Sequence, residues 1–232
     1  MNIKITYSYD GSSFSGSQTQ PHTNTVEDEL KKALKNVGIV DKLITSSRTD
    51  KNVHALNQVS TVEVKDFWDL NRLKTLINRK IHPSIFIKNI SETRPNFHPR
   101  YDAKARSYRY ILNHATYLPF LKNYCYFYEE VDLEKLNLAL SKFKGKHNFI
   151  NFMKTGSDVR TTKREIYTVF AYRYKNLTII KFKASGFLRA QVRLMVANAL
   201  KEVSFDKEFS INAPNSHTPA PPNGLYLERI FY

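Results

Sequence analysis

The chain has 232 residues, enough for one large domain or two small lobes, and its 41% apolar and 25% charged residues exclude a disordered, collagen-like or linker-dominated architecture. A single cysteine, Cys125, excludes an internal disulfide framework and a cysteine-based zinc site. Thirty-six Lys and Arg against 21 Asp and Glu leave a net charge of +15, which favours a nucleic-acid partner over a merely lysine-rich composition.

Residues 3–9 alternate, with Ile3, Ile5, Tyr7 and Tyr9 on one face and Lys4, Thr6 and Ser8 on the other, which predicts a half-buried strand rather than a signal peptide. Asp10-Gly11 then marks a turn. Val26, Leu30, Ala33, Leu34 and Val37 recur at helical spacing; Asn24 and Glu27 suggest a capping box and Gly38 a stop. Residues 42–46 and 57–65 read as strands, Leu70 to Ile77 as a second helix, and Ile85 to Ile90 as a further strand. The second half follows the same order. A strand at 106–113 precedes a helix from Leu133 to Phe143 behind Asp132, closed by Gly145. A hairpin follows around Lys175-Asn176, then a helix over 186–200 and a last strand from Leu225 to Phe231.

This doubled order predicts an α+β chain of two βαββαβ lobes, 1–100 and 101–232, with antiparallel sheets set edge to edge and a central cleft for a large ligand. No stretch approaches the roughly 18 apolar residues of a spanning helix, so the expectation is a cytoplasmic protein without membrane contact. The seven histidines never fall at i,i+3 or i,i+4, and no phosphate-binding glycine loop is present, so neither a metal nor a nucleotide cofactor is expected.

Three segments carry candidate chemistry. Ser47-Arg48-Thr49-Asp50-Lys51-Asn52-Val53-His54-Ala55 places an Arg and an Asp in one loop between strands. The Asp is a nucleophile, a base, an ion-pair partner or simply a turn former. Arg100 to Tyr110 holds four cations and three tyrosines, with Arg106, Tyr108 and Tyr110 on one strand face. Such a face suits phosphate and base contacts, or a core whose tyrosines keep a polar tip. Gly186 to Met195 puts Arg189 and Arg193 on one helical stripe, either solvated or answering an anion.

In order along the chain, these segments resemble the TruA family of tRNA pseudouridine synthases. The run Ser47 to Val59 is similar to the family's G-R-T-D-x-G-V-H-A-x-x-Q-V, Tyr9 to Gln20 to its opening Y-D-G motif, and Phe97 to Tyr110 to its F-H-[AP]-R run. Gly186 to Arg193 and Ala220 to Leu227 match its last two motifs. The resemblance spans residues 3–230 and implies two ferredoxin-like lobes around a basic cleft. It also implies a homodimer and isomerisation of uridines 38 to 40 of the tRNA anticodon stem-loop, with no cofactor. Asp50 is then the catalytic nucleophile, at ribose C1′ or uracil C6, or the group that removes a ribose proton. Arg193 pairs with it, and Tyr108 stacks on the uracil and accepts the C5 proton. Arg48 fills the vacated stack or holds a phosphate, and Arg106, Arg189, His54 and Gln58 join Tyr108 among the substrate contacts. Ser47 and Asn52 stand where the family usually has Gly, and Ser17 where it usually has an aromatic, so loop geometry and target choice are expected to differ.

Rival readings are a non-catalytic RNA-binding protein, the same chemistry on another RNA site, and a metal-dependent nuclease. The last needs clustered carboxylates, and Asp50 has only Asp41 within ten residues.

Overall fold

A computed structural model of the chain describes residues 1–154, 156 and 159–232. These residues form ten strands and four α-helices, in two units: Met1–Lys104 with Leu227–Tyr232, and Ala105–Tyr226. The α+β class is present; the first unit follows the βαββαβ order, and the second carries two further short strands. The end of the chain groups with the first unit rather than with the second half, because Lys104 N donates to Phe231 O and the Asn57 side chain donates to Glu228 O.

In the first unit, β1 (Asn2–Tyr9) buries Ile3, Ile5, Tyr7 and Tyr9, as its alternation requires. It pairs antiparallel with β3 (His54–Glu63) on one side and β4 (Ile85–Thr93) on the other, while β2 (Ile44–Thr45) lies on β3. The order β4-β1-β3-β2 is the ferredoxin-like one. Two helices supply the apolar face of this unit: α1 (Val26–Lys35) with Leu30 and Leu34, and α2 (Leu70–Lys80) with Leu73 and Ile77. All four side chains are fully buried, each contributing on the order of 1.5–3 kcal/mol. The cap of α1 is displaced one residue from the expected Asn24–Glu27 box. Thr25 is the N-cap, extended at φ −125°, and its hydroxyl accepts from Asp28 N. Glu27 instead accepts from Thr19 N and pairs with Lys31.

The second unit contains β5 (Ala105–Asn113), β6 (Tyr126–Phe127), α3 (Leu133–Ser141), β7 (Gly145–Asn148), β8 (Lys163–Tyr174), β9 (Leu177–Ala184) and α4 (Gln191–Phe205). Its sheet runs β5-β9-β8-β7, with β6 parallel to β5. The hairpin at Lys175-Asn176 is present, with Lys175 left-handed at φ 53°. Strands β6 and β7 are too short to show a period. β10 (Leu225–Phe231) ends the chain and lies beside β3.

The helix expected over 186–200 begins only at Gln191. Ala190 is left-handed at φ 59°, and the Gln191 side chain turns back to accept from Leu188 N at 2.8 Å. Arg189 therefore lies before the helix, and the expected helical stripe with Arg193 does not form.

Each unit also has a helical asparagine bonded to strand backbone. Asn78 of α2 donates to Ile87 O and accepts from Ile87 N on β4. Asn137 of α3 does the same to Ala171 on β8. Among the described residues, no helix is long and apolar enough to cross a membrane.

Candidate active site

The Arg48-Thr49-Asp50 loop joins β2 to β3 and is held by its backbone on both sides of the aspartate. Gln58 on β3, fully buried, donates from Nε2 to Ser47 O at 2.8 Å and accepts at Oε1 from Ser47 N at 3.3 Å. Its amide gives Ser47 the two bonds a neighbouring strand residue would give. Thr49 is fixed through three groups. Its N–H donates to Ser17 Oγ at 2.8 Å, its carbonyl accepts from Ser17 N at 3.2 Å, and its hydroxyl lies 2.7 Å from Tyr9 OH. Beyond the aspartate, Val53 N donates to Asp50 O at 3.2 Å, and Asn52 closes the turn at φ 65°. That left-handed conformation explains why the family's usual Gly is here an Asn, the least costly substitute. Ser47 keeps an ordinary negative φ, so its position does not require Gly.

Burial pushes the Tyr9 hydroxyl up to about 12, despite the lowering effect of bonds with Thr49, Gln58 and Ser17, so it stays neutral at physiological pH. Gly11 backs the loop: a Cβ there would stand 2.1 Å from Val53 O. Its N–H donates to Nδ1 of His54, itself buried. The result is a half-buried Asp50 and an exposed Arg48 on a braced backbone. Such bracing is what a catalytic carboxylate needs, because aim is lost with loop motion.

His54 and Gln58, expected among the substrate contacts, are both buried. Both point inward and hold the loop and its neighbours, because a buried polar side chain beside free loop peptides is drawn to them. Ser17 and Tyr9 also brace the loop, which the sequence does not show. Tyr9 was hidden by its place in the apolar alternation of β1, and Ser17 showed only as a departure from a motif.

The remaining expected residues lie in the second unit. Tyr108 is buried on β5, opposite Phe182 on β9, and meets the Phe187 ring edge-on at 5.2 Å. Tyr110, on the same face, donates to Pro221 O at 2.8 Å, and burial holds its hydroxyl well above the usual tyrosine range. That residue follows the core reading. Arg193 is half-buried on α4; its Nε donates to Ala220 O at 2.7 Å, and Ala220 N returns a bond to Arg193 O. Arg106 is half-exposed and Arg189 exposed.

A half-buried Asp50 on a braced loop, in a chain of net charge +15, is an arrangement that suits an enzyme acting on nucleic acid. The family model described as tRNA pseudouridine synthase matches residues 5–102 and 139–232, and the chain belongs to that family. It is an isomerase with tRNA as its substrate. Proteins named tRNA pseudouridine synthase A resemble it along their whole length. That of Campylobacter jejuni subsp. doylei is 47% identical over 240 residues, covering 100% of both chains. That of Helicobacter hepaticus is 39% identical, covering 99% of this chain and 98% of the relative, and that of Helicobacter pylori 36% identical, covering 99% of each.

Proposed function

We propose that the protein converts uridines 38 to 40 of the tRNA anticodon stem-loop to pseudouridine, as a cytoplasmic homodimer, with Asp50 as the catalytic nucleophile. The observation that carries this reading is the fixed backbone on both sides of Asp50, which leaves the carboxylate itself half-exposed. The family resemblance supplies the target and the dimer.

In the reaction the N1–C1′ bond breaks, C1′ bonds to C5, the C5 proton leaves and N1 takes up a proton. Atoms are conserved, so the chemistry itself calls for no redox partner. Asp50 attacks C1′ or C6, or removes a ribose proton on the way. The family resemblance assigns to Arg193 the charge that favours the ionised form of Asp50. Tyr108 stacks on the uracil and takes the C5 proton. Arg48 fills the stack left by the flipped uridine or holds its phosphate, with unstacking costing a few kcal/mol. Arg106 and Arg189 hold backbone phosphates.

The test uses tRNA transcripts tritiated at uridine C5, without added metal or nucleotide. Wild type is expected to release label to water, and Asp50→Asn to release none while still binding tRNA. Tight binding without release by wild type would instead favour a non-catalytic RNA binder. Release that maps outside positions 38 to 40 would keep the chemistry and change the target. Light scattering at micromolar concentration checks the dimer.

A further inference from the structure

The geometry points to a phosphodiester-binding site in the second unit, formed by the guanidinium groups of Arg106 and Arg164 converging over Gly186. This rests on the tRNA reading above. Arg164 lies on β8, one residue before a glutamate, in a stretch with no motif, and the proposed mechanism does not use it. A Cβ built on Gly186 would stand 3.7 Å from Arg164 Nε, 3.9 Å from its Cδ and 4.0 Å from Arg106 Nη1. Two cations from separate strands thus face one backbone position that carries no side chain.

Arg164 is anchored there. Its Nη1 donates to Thr161 O at 2.9 Å and to Lys163 O at 2.6 Å, which fixes the guanidinium. Partial burial, and after it the nearby Arg106 charge, lower its pKa. A planar guanidinium matches two phosphate oxygens at once, and two that converge can grip the same phosphate. The next residue but one along the chain from Arg106 is Tyr108, on the same strand face. Phe187, next to Gly186, meets the Tyr108 ring. The cation pair therefore stands close along the chain to the tyrosine proposed to stack on the base, as a contact to that nucleotide's backbone requires.

The experiment is the salt dependence of tRNA binding by wild type, Arg164→Lys and Arg164→Gln, from 50 to 300 mM KCl. Each phosphate contact adds about one to the slope of log affinity against log salt. Arg164→Gln is expected to flatten the slope by about one and to bind tRNA about tenfold more weakly at 150 mM, uniformly across tRNAs. Arg164→Lys is expected to keep the slope and lose only part of the affinity. A structural role for the backbone bonds would instead lower the urea midpoint and leave the slope alone. If Arg164→Gln fails to fold, Arg106→Gln reads the same slope. An unchanged slope in a folded variant overturns the site. Thermal stabilisation of wild type but not Arg164→Gln by millimolar inorganic phosphate, with an unchanged tRNA slope, would overturn it in favour of a free-anion site. Tritium release by wild type reports on the pseudouridine reading separately, so the two can fail independently.

Discussion

Ser17→Ala is the perturbation that isolates how the catalytic loop is aimed. Ser17 is 4% exposed, and its hydroxyl is the acceptor for Thr49 N at 2.8 Å. Removing it leaves a peptide donor beside Asp50 without that acceptor. A buried donor left so costs about 1–3 kcal/mol, and Thr49 is only half-buried, which places the loss near 1–2 kcal/mol. The Ser17 N to Thr49 O bond and the Tyr9 hydroxyl contact stay, so the loop keeps its place and gains angular freedom. With all of that free energy lost from aim, kcat falls roughly 5- to 30-fold, at about 1.4 kcal/mol per tenfold. KM for tRNA should move less than about threefold, since Ser17 lies beneath the loop. Single-turnover tritium release at saturating enzyme gives the rate, and urea unfolding gives the stability. A lowered urea midpoint with kcat within twofold of wild type would refute the reasoning and leave Ser17 as a purely structural contact. So would a raised KM with unchanged kcat.

Gly11→Ala should lower stability by more than about 3 kcal/mol in urea titration, because the new Cβ would overlap Val53 O at 2.1 Å and push on backbone. Asn52→Gly should shift Tm by no more than a few degrees, whereas Asn52→Val, β-branched at φ 65°, should lose at least 1–2 kcal/mol in the same melt. Alkaline pH should destabilise the fold. Tyr9 ionises near 10 when unfolded and at about 12 when folded, so the folded state retains its proton longer. Stability is then whole below pH 10 and falls by up to about 1.4 kcal/mol per pH unit toward 12. Burial raises Tyr7 and Tyr110 as well and steepens the fall. Urea midpoints at pH 9 and 11 should therefore converge in Tyr9→Phe relative to wild type, and equal slopes in both proteins would contradict this origin.

What could be read from the chain followed the length of each periodic run. β1 and α2 show their burial in the spacing of Ile and Leu, so both were legible. The position of Asp50 in a loop between strands was also legible, because Arg-Thr-Asp interrupts two apolar runs. The start of α4 was not: Gly186 to Ala190 continues the apolar spacing, and only the left-handed Ala190 breaks it. His54 and Gln58 are polar residues in a functional motif, and the sequence shows polarity but not direction. The inward orientation of Gln58 follows from the register of β3 against β1, where it faces Tyr7, and that of His54 from its bond with Gly11 N. Arg164 carried no signal, since what sets it apart is its meeting with Arg106 across strands that are distant in sequence.

The paired asparagines on α2 and α3 bear on how such a chain survives its own synthesis. Asn137 supplies a donor and an acceptor to Ala171, within a strand that exposes Tyr167, Phe170, Tyr172 and Tyr174. A ribbon so rich in aromatics is a template for another chain to zip onto. One helical amide imitates the partner that would otherwise arrive from solution, and Asn78 does likewise at Ile87. At Ala171 and at Ile87 a side chain, rather than a further strand, takes the outward bonds of the peptide. Loss of either amide would leave an outward peptide group on its strand without these bonds.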